Sequence, residues 1–279
     1  MILIVESGST KADWVLLHAD GSVTNFRTKG WNPLLLTEEG MLERLNSYKE
    51  LSEKNFSAVY FYTAGVSHIK SSESLHFILS EFFSEAHIHV ESDMLAAARG
   101  VYNHTAQFVA ILGTGSNMAF FDGEELEQLT PSLGYVLGDE ASGASLGKSL
   151  LRDYLYKTLP KDLYLQFSKD YSISKDLALQ SVYKEAHPNR FLASFVPFLV
   201  EYKSHFYVQQ LVRKEFYSFL KTHVLSHPLH LDFRISFVGS VAFLFQDIIT
   251  DLCKENKLQV AGFKQSPIHG LICYHKTNK

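Results

Sequence analysis

Ile4-Val-Glu-Ser-Gly-Ser-Thr10 and Ile111-Leu-Gly-Thr-Gly-Ser-Asn117 are the two stretches on which the fold turns. Each is an apolar, β-branched run that breaks into a turn of glycine and hydroxyl residues. Each is followed by a second strand-like run, at residues 14–18 and 117–121. Small residues let a backbone approach a ligand closely, and successive N–H groups in a tight turn form an anion-binding concavity. Either turn alone is also what an ordinary hairpin looks like. Two of them, each opening one half of the chain, predict two domains that present tight hairpins toward a common cleft, a preferred place for ligands.

Working outward, the first half continues with a third strand at 22–28, entered through Asp20-Gly21, and a helix at 37–49 with Thr37 as its N-cap. A strand at 58–63, a helix at 71–83, a strand at 87–91 and a helix capped by Ser92 complete the order βββαβαβα. The second half repeats the opening with strands at 108–112 and 117–121 and a third at 124–130. A long helical region at 142–224 follows, including helices at 150–159, 191–202 and 207–220. The chain closes with a strand at 234–238, a helix at 241–254, a short strand at 259–262 and a helix after Pro267. These patterns place a domain boundary near residue 104, giving domains 1–104 and 105–279, with the helix after Pro267 free to pack back on the first domain.

The 279 residues are enough for two domains of ordinary size. Apolar residues are 46% and charged residues 20% of the chain, as in a soluble globular protein. A net charge of −4 offers no basic surface to a nucleic acid, whereas a nucleotide can be held by backbone N–H groups and a metal ion. Two cysteines, Cys253 and Cys273, are too few for a disulfide scaffold or a zinc site. No secretory signal and no membrane-length apolar run is visible, so a cytoplasmic protein is expected.

Lys11 adds a point charge to the first turn, and Gly239-Ser240, which follows a strand and opens a helix, suits a nucleotide. Residues 143–149 imitate a P-loop, but three residues separate the glycines where four are needed, and no strand precedes them. Pro33 holds Asn32 extended after the third strand. Asp93 follows a strand and starts a helix, so its carboxylate sits where α/β sheets bind ligands, and a helix N-terminus favours its ionised form, as a base for a sugar hydroxyl requires. Gly134-Tyr135-Val-Leu-Gly138-Asp139-Glu140 sets an aromatic and two carboxylates in a glycine-rich loop, chemistry suited to sugar rings and hydroxyls. The thirteen histidines form no clear metal cluster.

Taken in order, these segments, together with Tyr60-Phe-Tyr-Thr-Ala-Gly65, resemble the N-acetylglucosamine kinase family and the related BadF/BcrA-type ATPases across nearly the whole chain. The resemblance implies an α/β, actin-like ATPase fold of two ribonuclease-H-like domains with ATP and sugar in the cleft. It implies ATP phosphates at Gly8, Ser9, Thr10, Lys11, Gly113, Thr114, Gly115 and Ser116, and adenosine near Gly239 and Ser240. It further implies the sugar at Asn32, Gly134, Tyr135 and Asp139, Asp93 as general base, and Mg2+ contacted through water by residue 6. The family usually has Asp at that last position and this chain has Glu6. It often has Trp where this chain has Tyr135. The expected activity is ATP-dependent phosphorylation of an amino sugar, N-acetylglucosamine or a related N-acetyl sugar such as N-acetylmuramic acid, by a homodimer. Two other activities fit the same fold: an ATPase activating a 2-hydroxyacyl-CoA dehydratase-type enzyme, and a non-catalytic sugar or nucleotide sensor. The first needs mid-chain cysteines for an iron–sulfur cluster, and here both cysteines lie near the C-terminal end.

Overall fold

The computed structural model describes residues 1–277 except Ser9, Leu35, Ser52, Glu53, Ser67, His68 and Leu129. It divides into two compact units, Met1–His104 with Pro267–Lys279, and Thr105–Ser266.

The first unit is built on strands β1 (Ile2–Ser7), β2 (Lys11–Leu17) and β3 (Val23–Lys29), helix α1 (Glu38–Asn46), strand β4 (Ala58–Thr63), helix α2 (Ile69–Phe82), strand β5 (His87–Ser92) and helix α3 (Asp93–Val101). Its five-stranded sheet has the order β3-β2-β1-β4-β5. β1, β2 and β3 form an antiparallel meander, and β4 and β5 run parallel to β1. Helices α1 and α2 precede and follow β4 in the connections that bring β4 and β5 parallel to β1, where the sequence pattern predicts helices. Thr37 caps α1 by accepting from Gly40 N–H, and Ser92 caps α3 by accepting from Leu95 N–H. Trp14, Trp31 and Phe61 meet edge to face in the core on one side of the sheet.

The second unit repeats this plan with β6 (Gln107–Leu112), β7 (Ser116–Phe121), β8 (Leu126–Glu127), β9 (Arg234–Val238) and β10 (Gln259–Lys264). The order is β10-β9-β6-β7-β8, again an antiparallel meander of three with two strands parallel to the first. Helices α4 (Gly134–Leu137), α5 (Gly143–Leu155), α6 (Lys161–Tyr171), α7 (Lys175–Tyr183), α8 (Pro188–Ala193), α9 (Val196–Glu201) and α10 (Phe206–Phe219) lie between β8 and β9. A π-helical turn, Leu220–Val224, ends α10. α11 (Ser240–Leu244) and α12 (Gln246–Glu255) lie between β9 and β10.

Several expected elements differ. The third strand of this unit is two residues long rather than spanning 124–130, because Asp122 turns the chain by accepting from the N–H groups of Glu124 and Glu125; Leu129 of that span lies outside the described residues. The helix expected at 191–202 is two, α8 and α9, since Pro197 cannot donate into a continuous ladder. The helix expected at 241–254 breaks at Phe245. Gly134 and Tyr135 open a short helix rather than a loop.

The last helix, α13 (Ile268–Thr277), leaves the second unit, so the division at 104 with everything after it in one domain is corrected to a second unit ending at Ser266. α13 crosses α3 at two glycines. A side chain on Gly270 would run into the carbonyl of Gly100, and one on Gly100 into Pro267. Leu271 is buried with Ile4, Val15, Tyr62 and Ala96, and Tyr62 Oη shares a 2.9 Å hydrogen bond with His275 Nε2 while accepting from Arg99 Nη1 at 2.9 Å.

Candidate active site

In the first unit the three parallel strands end in one row. Register sets Ser7 beside Thr63 and Thr63 beside Ser92. One step further, Gly8, Ala64 and Asp93 form the carboxyl edge of the sheet, where α/β folds take their ligands. The chain after β3 folds over this row. Ser7 Oγ donates to Trp31 O at 3.0 Å and accepts from Trp31 N–H at 2.7 Å, and the Thr63 hydroxyl donates to the same carbonyl. Asn32 is buried, and its Oδ1 accepts from Leu34 N–H at 2.9 Å. Gly65, at φ 85°, lies so close that any side chain there would strike Asn32 Oδ1, so glycine is required both by the backbone and by the contact.

The first turn closes through Gly8 N–H to Lys11 O, 3.0 Å, and Thr10 O accepts Gly30 N–H, 3.0 Å. The turn and the Asn32 segment are therefore tied together. Ser9 lies outside the described residues. The Lys11 ammonium stands 3.5 Å from Asp13 Oδ2, an ion pair without a hydrogen bond, and Asp13 Oδ1 accepts from Arg27 Nε at 2.6 Å. Glu6 faces Asp13 directly across β1 and β2. Burial, with repulsion from Asp13 and Asp93 beyond what Lys11 offsets, pushes the Glu6 carboxyl up to about 7. Burial also raises the Asp93 carboxyl, and N–H groups at the start of α3 pull it back part of the way.

In the second unit the turn at 113–116 is fixed from behind. Its carbonyls at Gly113 and Thr114 accept from the first N–H groups of α5, Gly143 at 2.8 Å and Ala144 at 3.1 Å. Among the described residues the buried Ser116 hydroxyl has no hydrogen-bond partner, and no atom of theirs lies where a side chain on Gly113 would go. An unpaired buried donor beside open space is chemistry that fits a phosphate oxygen. Gly239, at φ 116°, abuts the Leu112 carbonyl so closely that no side chain fits, which brings the 239–240 break against the turn at 113. Ser240 is exposed at the start of α11.

Asp139 comes to the same turn. A side chain on Gly115 would stand 3.0 Å from its Oδ2, and Ser116 N–H donates to its carboxylate. Burial raises the Asp139 carboxyl and this N–H opposes the rise. Tyr135 is placed differently: its ring packs against the core of the unit, and its carbonyl accepts weakly from Lys148 Nζ at 3.4 Å. Gly134, at φ 70°, starts α4, its carbonyl accepting from Gly138 N–H at 2.8 Å and no described atom standing where a side chain would go. Ser7, Thr63 and Gly65, which build the Asn32 segment, fall within the segments at 4–10 and 60–65 that carry the family resemblance, without a role of their own assigned there; His223, which grips Glu140 at 3.2 Å, carries no sequence signal. Glu215 likewise fixes α5 through the hydroxyls of Ser145 and Ser149, at 2.5 and 2.9 Å.

No family model and no curated protein matches the sequence. Among solved structures, a candidate N-acetylglucosamine kinase from Porphyromonas gingivalis is 36% identical, covers 100% of this chain and 99% of its own, and superposes with a TM-score of 0.90. A candidate N-acetylglucosamine kinase from Chromobacterium violaceum (14% identity, 98% of each chain, TM-score 0.70) shares the fold. So does a ROK-family glucokinase from Streptomyces griseus solved with glucose and AMPPNP (14% identity, 99% and 98% of the two chains, TM-score 0.56). Two sheets of identical strand order, each with a glycine turn at its first hairpin, together with full-length identity to the Porphyromonas protein, place the chain in the N-acetylglucosamine kinase family of sugar kinases, on the actin-like ATPase fold.

Proposed function

We propose that the protein transfers the γ-phosphoryl group of ATP to a hydroxyl of an amino sugar, N-acetylglucosamine or a related N-acetyl sugar such as N-acetylmuramic acid. The observation that carries this reading is Asp93, one residue past the Ser7–Thr63–Ser92 row, on the same sheet edge as the first glycine turn and the Asn32 segment. Phosphoryl transfer asks little covalent chemistry of a protein: it must position the reactants, offset charge and accept the hydroxyl proton. A carboxyl raised by burial is a better proton acceptor near neutral pH than an ordinary aspartate. In this reading Asn32 and Asp139 hold the sugar, the turns at 8–11 and 113–116 take the phosphates, and Gly239 and Ser240 lie by the nucleoside. Tyr135, half-buried against the core of its unit, would offer the sugar its remaining face.

Magnesium fits the facing pair Glu6 and Asp13, whose mutual repulsion a dication relieves. Among the described residues no three His, Cys, Asp or Glu groups gather as a ready metal cage, so the ion would take most of its ligands from phosphate and water, with Glu6 holding it through water. When bound, it neutralises charge developing on the phosphoryl oxygens. The resemblance to BadF/BcrA-type ATPases rests on the same turns.

A coupled assay of ADP release with a panel of amino sugars tests the proposal. Sugar-dependent turnover, fastest with an N-acetyl sugar, is expected. ADP release that no amino sugar stimulates would remove the kinase reading of these residues.

A further inference from the structure

The segment after α4 carries two non-glycine residues in the left-handed region within three positions, Asp139 at φ 58° and Ala141 at φ 59°, on either side of Glu140. Such a conformation is disfavoured for an L-residue and persists only where its surroundings determine it several times over. One of those determinants is local, Ser142 N–H donating to Asp139 O at 3.1 Å, and a second comes from the start of β7, where Ser116 N–H donates to the Asp139 carboxylate. The third comes from far along the chain. Glu140 Oε2 lies 3.2 Å from His223 Nε2, and His223 Nδ1 lies 2.5 Å from Thr130 Oγ1. A carboxylate only accepts, so Nε2 carries its hydrogen toward Glu140, and the Thr130 hydroxyl completes the other side of the ring.

His223 is buried, with the Phe219 ring 4.7 Å from its own. It sits in the π-helical turn Leu220–Val224, closed by Leu225 N–H to Leu220 O at 2.8 Å. π-turns are rare and are frequent at functional sites, where the extra residue re-aims a side chain. Here the widened turn coincides with a histidine gripped by hydrogen bonds at both ring nitrogens. The neighbouring clamp of Glu215 on Ser145 and Ser149 holds α5, not the strained turn, so it does not substitute for this contact.

We propose that His223 is a positioning residue: through Glu140 it holds the strained turn at 139–141 and so sets where the Asp139 carboxylate stands against the turn at 113–116. This rests on the proposed role of Asp139 in holding the sugar. His223 itself reaches neither ligand. Its removal lets the turn relax to right-handed backbone and swings the Asp139 carboxylate away from Ser116 N–H. The consequence falls on sugar affinity more than on the chemical step.

The test uses the full chain with N-acetylglucosamine and ATP, and compares His223→Phe, which keeps a ring against Phe219, with His223→Gln, which restores a donor near the position of Nε2, and with Glu140→Leu and Asp139→Asn. Thermal melting identifies the variants that fold. His223→Phe is expected to raise the KM for the sugar about tenfold while kcat falls less than threefold, and His223→Gln to recover most of the loss. Glu140→Leu, which keeps side-chain bulk but cannot accept from Nε2, is expected to shift the sugar KM in the same direction and serves where His223→Phe does not fold. A folded His223→Phe with parent KM, a His223→Gln no better than His223→Phe, or a parent-like Glu140→Leu overturns the proposal while Asp139→Asn still weakens the sugar. Parent-level sugar binding in Asp139→Asn removes the role of Asp139, and this inference with it.

Discussion

Glu6 faces Asp13 across two strands and feels Asp93 as well, and the strands give it nowhere to turn. Its carboxyl stands at about 7 in the folded chain against 4.5 as the ordinary value. The folded state therefore favours the neutral form. The stability this confers is present in full below about pH 4.5 and is lost as pH rises through about 7, by as much as ~3 kcal/mol at 1.4 kcal/mol per unit. Glu6→Gln is neutral at every pH. It is expected to melt like the parent at pH 5 and above the parent at pH 8 when no nucleotide or metal is added. Equal melting temperatures at pH 8 would mean that the carboxylate is already compensated by Lys11 and Arg27. Asp93 makes a different prediction. Asp93→Asn keeps size and most hydrogen bonds but cannot take a proton, so turnover is expected to fall on the order of a hundredfold or more while the sugar binds as before. Sugar titration alongside steady-state ADP release separates the two quantities. Near-parent turnover would end the general-base role, and loss of sugar binding alone would make Asp93 a substrate-holding group.

Between elements, the tightest crossing in the first unit is α3 against α13, where Gly270 meets the backbone of Gly100. A backbone carbonyl cannot move aside as a side chain can. Gly270→Val is therefore expected to separate the helices and cost roughly 1–3 kcal/mol or more, the range for overpacking, seen as a lower melting temperature. A variant as stable as the parent would show that the helices are not in contact at these residues. The sequence leaves the helix after Pro267 free to pack back on the first domain, as α13 does, but nothing local in Ile268–Thr277 names α3 or the Gly100–Gly270 contact as the place. The strands were legible because apolar runs alternate with turn residues over short distances, and 58–63 and 234–238 fall where the pattern puts them. The helical region at 142–224 was legible as helix and not as the six helices α5 to α10 and the π-turn that it holds. Pro188 and Pro197 mark two breaks, whereas the break at Phe245 has no breaker residue. The site divides along the same line. Glycine turns announce themselves locally. His223 is 83 positions from Glu140 and Glu215 is 70 from Ser145, so their roles exist only once the chain is folded. Gly115 shows the mixed case: the sequence predicts close backbone approach there, and the neighbour that forbids a side chain is the Asp139 carboxylate.

At the scale of the whole molecule the two units are unequal in how the chain makes them. Thr105–Ser266 is one uninterrupted segment with its own sheet and core. The other unit is completed only by its last helix. Without α13, the face bearing Ile4, Val15, Tyr62 and Ala96 loses Leu271, which is fully buried among them, and Tyr62 loses His275. The His275 imidazole is pushed down to about 4, chiefly by burial and then by Arg99 and His89, so it sits there uncharged at neutral pH. That contact is at full strength above about pH 6.5 and weakens as pH falls toward 4, since the unfolded histidine binds a proton that the folded one refuses. Two expectations follow from this asymmetry. A fragment of residues 105–266 folds alone, with a cooperative melt. A fragment of residues 1–104 is loosely packed, binds a hydrophobic dye and lacks a sharp transition, and it gains one when residues 267–279 are joined to it through a flexible linker. The joined fragment loses that transition between pH 6.5 and 4, and replacing His275 with Gln, which keeps a hydrogen-bonding partner for Tyr62 without a titrating ring, makes the loss less steep. A 1–104 fragment that melts as sharply alone as with the helix attached would mean that α13 rests on a finished domain rather than completing one.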